Sequence, residues 1–271
     1  MGLTFGYPHM DLQLKDKVAV VMAASRGLGA ATARAFAEEG AHVVISARDA
    51  KALHETAQAI ARNTGVRVLP VIADSAKAAD VQRLVDIAVH TFGRVDALVA
   101  NAGGPPAGRF MDFDDAAWQQ AIELTLMSAV RAARTVIPIM QRQGGGSITF
   151  ITSVSVKHAL DNLVFSNSLR LAVAGMVKTL AREVGPDNIR VNLICPGYTA
   201  TDRILALAAA HAERNGTTVE AELARSGANT ALGRVASVEE FARPCVFLAS
   251  PAASYITGTA LIVDGGQSRA L

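Results

Sequence analysis

Short, nearly unbroken apolar runs, interleaved with longer stretches of helical period, constrain this chain more than any other feature. The runs occupy residues 18–22, 42–46, 67–73, 97–100, 147–152, 190–194 and 260–263. Between them lie Ala-rich segments such as 30–39, 50–62 and 79–91, which read as helices. A strand without polar alternation is buried on both faces, as strands are in a parallel sheet covered by helices above and below. Strand–helix–strand repetition joins such strands by crossovers of one hand. The sequence therefore predicts one α/β domain built on a doubly wound parallel sheet of about seven strands. In that architecture ligands bind beyond the carboxyl ends of the strands, where the winding reverses.

Composition narrows the functions open to such a domain. The 271 residues suit a single domain, and 51% of them are hydrophobic, enough for a large core. A net charge of +2 with no dense Lys/Arg run argues against nucleic acid or an anionic membrane as partner. No apolar run approaches the roughly 18 residues of a membrane span, and the start, MGLTFGYPHM, has no charged end followed by an apolar core. The expectation is a cytoplasmic protein with an extension over residues 1–13. Cys195 and Cys245 sit in apolar runs and read as buried reduced thiols, and no Cys/His spacing suggests a metal.

Residues 203–227 interrupt the alternation. They are helical and Ala-rich, with a candidate capping box at Thr217 and Glu220, and Ser237 with Glu240 reads as a second box. The segment is either a surface helix pair or a lid over a substrate pocket.

After the first apolar run comes Met22-Ala23-Ala24-Ser25-Arg26-Gly27-Leu28-Gly29. A turn between a first strand and a helix can hold a pyrophosphate on backbone N–H groups, and glycines let the chain approach it. The second strand ends in Ser46-Ala47-Arg48 without the carboxylate that would bind a ribose 2′-OH. Arg48, helped by Arg26, suits a 2′-phosphate instead.

These motifs resemble the short-chain dehydrogenase/reductase family, over roughly residues 14–267. Its Thr-Gly-x-x-x-Gly-x-Gly turn is matched at Gly27 and Gly29, with Met22 and Ala23 replacing the threonine and first glycine. The resemblance implies a Rossmann-type fold, NADP(H) as cofactor and a homodimer or homotetramer paired through long helices. It adds Ser25 and Leu28 in the turn, Asp74 and Ser75 near the adenine, Asn101-Ala102-Gly103, and the loop Pro196-Gly197 with Thr199 and Thr201.

The family also places a serine, a tyrosine 13 residues on and a lysine 4 further. Here those positions hold Ser153, Ser166 and Arg170, and the asparagine of the preceding helix is Thr125. Serine is a far weaker acid than tyrosine, and arginine does not cycle its proton as lysine can. Oxyanion stabilisation survives the exchange, but the usual proton relay does not. Tyr198 in the Pro-Gly loop and His158 after Ser153 are the alternative acids, with Ser166 acting through water as a third route. Three readings follow. The first is an NADP(H)-dependent oxidoreductase of a carbonyl or alcohol, with the resemblance strongest to reductases of 3-oxoacyl thioesters. The second is a lyase, isomerase or hydrolase of a 3-oxo compound on the same frame, and the third a non-catalytic nucleotide-binding protein.

Overall fold

The structure, a computed structural model, describes residues 11–270, so the first ten residues of the expected extension lie outside the described residues. In chain order the elements are β1 (Val18–Val21), α1 (Gly27–Glu38), β2 (His42–Ala47), α2 (Ala50–Thr64), β3 (Val68–Ile72), α3 (Ala78–Phe92), β4 (Ala97–Ala100), α4 (Asp115–Ile122), α5 (Ser128–Arg142), β5 (Gly146–Ile151), α6 (Val164–Glu183), β6 (Ile189–Pro196), α7 (Asp202–Asn215), α8 (Val219–Gly227), α9 (Val238–Ala249) and β7 (Ala260–Val263). The strands form one seven-stranded sheet in the order β3-β2-β1-β4-β5-β6-β7. Every pairing is parallel. The winding reverses between β1 and β4, and that switch point is where the fold leaves a crevice.

Apolar residues on both faces of each strand feed two cores. Val20, Val44, Leu98, Ile148 and Val191 face one layer, packing with Leu84 of α3, Val136 of α5 and Val177 of α6. Their neighbours Val21, Val43, Val99, Ile151 and Ile194 face the other, packing with Phe36 of α1, Leu53 of α2 and Phe241 of α9. This is the period of two in which neither phase meets water, and it explains why polar alternation is missing. Both cysteines are fully buried and unpaired with each other, and burial pushes the Cys245 thiol up to about 12.

The 203–227 segment folds as α7 and α8, with one correction to its caps. Ser237 and Glu240 form the expected reciprocal box at α9. Thr217 does not cap α8. The cap is Thr218, whose hydroxyl accepts the N–H of Ala221 at 3.2 Å. Thr217 instead donates to the buried carboxylate of Glu222 at 2.6 Å, and Asn215 adds a second donor at 3.1 Å. A buried carboxylate needs such donors more than an exposed helix start needs a second cap. These bonds hold Glu222 well below the ordinary carboxylate range, and they fasten the end of α7 to α8.

Candidate active site

The turn after β1 is pinned from both sides. Met22 donates its N–H to Val99 of β4 at 3.0 Å, and Ala24 donates to Ser46 of β2 at 2.8 Å. Ala23, between them, holds φ +48°, a left-handed conformation that costs a residue with a Cβ about 1–2 kcal/mol. Its carbonyl accepts Asn101 Nδ2 at 3.2 Å. Gly27 also has positive φ, at +55°. Gly29 answers a different demand: a Cβ there would fall 2.4 Å from the Ala23 carbonyl oxygen, so only glycine lets α1 approach β1 this closely. Ser25, Arg26, Gly27 and Leu28 carry the chain into the first turn of α1, whose N-cap Arg26 offers no side-chain acceptor, leaving its first N–H groups uncapped.

Beside this turn lies a slot of about 240 Å³, lined among others by Ala23, Ser25, Arg48, Asp74, Ser75 and Gly103. Arg48 is exposed and joins no ion pair among the described residues. Arg26 is not free to assist it, because its guanidinium is 2.9 Å from Asp49. Asp49 also lines the slot, and its other oxygen caps α2 through the N–H of Ala52 at 3.1 Å. The shared role expected for the two arginines therefore requires Arg26 to leave Asp49. Asp74 folds its carboxylate onto the N–H of Ala76 at 3.0 Å, fixing the rim of the slot.

On the far side of the crevice, β5 delivers Ser153 and α6 delivers Ser166 and Arg170. Ser153 accepts the N–H of Ser155 at 3.1 Å, so its own proton stays available to donate. Ser166 is buried, and its hydroxyl lies 3.2 Å from that of Ser155. Arg170 donates through Nη1 to the carbonyls of Thr152 at 2.8 Å and Ile151 at 3.2 Å. It reaches no carboxylate among the described residues. Burial brings its guanidinium down to about 10, opposed by the nearby Cys195 and reinforced by Arg203. It thus remains a cation through the neutral range.

Thr125 sits where α4 passes into α5 through a single π turn, Glu123–Met127, the kind of local unwinding that re-aims a side chain at a site. Its Oγ1 and the Nε of Arg170 are buried without a hydrogen-bond partner among the described residues. Both residues line one cavity of about 20 Å³, together with Asn101, Ala102 and Thr152. The sequence positions 101, 125 and 170 are thereby brought to one place.

Other expected residues sit further out. Gly197 follows β6, and a Cβ there would lie 2.6 Å from Asp264 Cβ, so the Pro196-Gly197 loop is packed tightly on the end of β7. Thr199 is buried, and Thr201 caps α7 through the N–H of Ile204. Tyr198 lines a separate groove with Leu232, Arg234 and Asp264, and its backbone N–H is tied to Gln267. The structure does not bring Tyr198 to the Arg170 cavity. His158 has Nδ1 3.1 Å from the Ser268 hydroxyl and does not line the Arg170 cavity.

Three participants carried no signal that sequence reasoning used. Ser155 links Ser153 to Ser166, a role its i+2 spacing from Ser153 could have suggested. Cys195 lies 3.1 Å from the Thr152 hydroxyl beside Arg170, so one of the two plain thiols borders the site. Asp49 lies two residues past the end of β2, yet reaches the slot.

Comparison with known proteins bears on this geometry. Residues 22–268 match the family model described as enoyl-(acyl carrier protein) reductase. The chain is 35% identical over 261 residues to dehydrogenase/reductase SDR family member 4 of Sus scrofa, covering 95% of this chain and 89% of that protein. It is 35% identical over 253 residues to the short-chain reductase protein NovJ of Streptomyces niveus, covering 93% and 94% of the two chains. The crystal structure of L-sorbose reductase from Gluconobacter frateurii, complexed with NADPH and L-sorbose, superposes with a TM-score of 0.94 at 39% identity, over 97% of this chain and all of that one. With a family model spanning nearly the whole chain and relatives at this identity, the chain belongs to the short-chain dehydrogenase/reductase family of oxidoreductases.

Proposed function

We propose that this protein is an NADP(H)-dependent oxidoreductase that interconverts a carbonyl compound, of the 3-oxo class, and its alcohol. The observation that carries the reading is the pairing of a free serine proton donor, Ser153, with a fixed cation, Arg170, beside the crevice at the switch point. The residues present fit the cofactor: the Gly27–Gly29 turn offers helix N–H groups to a pyrophosphate, and the neighbouring slot is lined by Arg48, which joins no ion pair among the described residues. The L-sorbose reductase relative, crystallised with NADPH, supports the same cofactor choice.

When bound, NADP(H) supplies or accepts the hydride. Ser153 donates its hydroxyl proton in a hydrogen bond to the substrate oxygen. Arg170 holds positive charge nearby, in a site dry enough for it to stabilise the developing oxyanion. It keeps its own proton, so it orients and stabilises without relaying. Ser166 is occupied with Ser155, and Tyr198 lines another groove, so in this reading His158, on the loop after Ser153, is the proton source. Ser268 engages its Nδ1 at 3.1 Å, and Nε2 has no hydrogen-bond partner among the described residues.

The test is nicotinamide absorbance followed over a panel of 3-oxo esters and ketoses, with NADPH and NADH. The reading expects NADPH consumption, and a His158→Asn variant slowed on the order of a hundredfold. Loss of substrate without any nicotinamide signal would instead establish a non-redox reaction on the same frame, in which Ser153 and Arg170 stabilise an enolate.

A further inference from the structure

We propose that the cavity at the amino ends of β1, β4, β5 and β6 is a second binding site, which takes the phosphate group of a small ligand. It lies at the edge of the sheet opposite the crevice, so its occupant does not displace the cofactor.

The cavity has a volume of about 280 Å³, room for roughly nine waters at ~30 Å³ each. Strand register builds its inner wall. Ala97 of β4, Ser147 of β5 and Arg190 of β6 stand side by side in the parallel ladder, so their side chains leave the same face of the sheet. All three line the cavity. Ser147 is 2% exposed, and its hydroxyl has no hydrogen-bond partner among the described residues. A buried hydroxyl without a partner is unfavourable, and an acceptor seated in the cavity relieves it.

Charge selects the acceptor. Lys17, Arg94 and Arg190 line the cavity, and Asp96 is the one carboxylate among the described residues that does so. Asp96 is already engaged. It accepts Arg94 Nε at 2.8 Å, Arg94 Nη2 and the N–H of Val18 at 2.9 Å, with Lys17 Nζ at 3.8 Å. Arg190 gives its Nη groups to the main-chain carbonyls of Leu248 at 2.7 Å, Ser250 at 2.8 Å and Ile256 at 3.3 Å. Those bonds fix the guanidinium without cancelling its charge. Three cations against one carboxylate leave a formal excess of two positive charges. A phosphate group near neutral pH carries close to the matching charge and offers oxygens to both the Ser147 hydroxyl and the Lys17 ammonium. None of these residues belongs to the site at the crevice.

The experiment is calorimetry with inorganic phosphate and with glycerol 3-phosphate, in an Arg48→Ala background that removes the 2′-phosphate partner of the cofactor slot. The proposal expects binding there. Adding Ser147→Ala or Lys17→Gln should each weaken it by about tenfold. Without phosphate both variants should melt with their parent, because the Ser147 hydroxyl has no hydrogen bond to lose and Lys17 stands 3.8 Å from Asp96. With phosphate, the melting temperature should rise in the parent and much less in the variants. Tighter binding of glycerol 3-phosphate would assign the remaining volume to an organic tail, and equal affinity would make free phosphate the ligand; either supports the site. No binding in the Arg48→Ala protein, or equal affinity in parent and both variants, would overturn it. So would competition between phosphate and NADPH in wild type with none left in Arg48→Ala, which would place the anion in the crevice.

Discussion

The two ends of the crevice differ in what they have kept. The β1 turn preserves a backbone shape, and the β5–α6 side preserves a set of positions. At the turn, Ala23 stands where the family has glycine, yet it still holds φ +48°, because N–H bonds from Met22 to β4 and Ala24 to β2 fix the path on either side. A function carried by main-chain N–H groups tolerates this exchange at a modest energetic cost. Across the crevice the function belongs to side chains. The frame of Ser153, Ser166 and Arg170 is present, but the hydroxyl at 166 lies against Ser155 and the guanidinium at 170 stays charged through the neutral range. Backbone sites decay gently, whereas side-chain sites change role when one residue changes.

The largest effect that would sharpen this contrast is at Ser153. Ser153→Ala removes the substrate-oxygen donor and should lower kcat by about 10²–10³, or roughly 2.7–4 kcal/mol, with NADPH binding unaltered. A variant retaining most of its kcat would show that the β5–α6 side is no longer the working site. At the cofactor end, Arg48→Asp should shrink or reverse the preference for NADPH over NADH, expected at about tenfold or 1.4 kcal/mol in wild type. Isothermal titration with both nucleotides measures it, and equal wild-type affinities would break the assignment of the slot. The smallest effect is Ala23→Gly, which relieves the left-handed strain and should stabilise the fold by up to about 1 kcal/mol in urea unfolding, the added chain freedom of glycine offsetting part of the gain.

Legibility in the sequence followed the same division. Periodicity located all seven strands, with β4 and β7 matching residue for residue. It stopped β6 at Ile194, although Cys195 and Pro196 still stand in register with Ile262 and Val263 of β7. Of the site, the positions were readable but not their orientations. Nothing in a one-dimensional pattern says that Ser166 will face Ser155, that Thr125 will lie in a π turn, or that Arg26 will close on Asp49 across 23 residues. Those outcomes depend on rotamers and on which polar neighbour is nearer. The misplaced cap at Thr217 has the same origin, since a buried Glu222 outcompeted the local motif.

The central claim is that hydride chemistry survives without the tyrosine and lysine. Its most direct measurement uses NADPH deuterated at nicotinamide C4 with a 3-oxo substrate, followed by mass spectrometry and NMR of the product. The account predicts an alcohol carrying one deuterium at the former carbonyl carbon, in step with NADP formation. A product without deuterium, formed while the cofactor remains reduced, would contradict it.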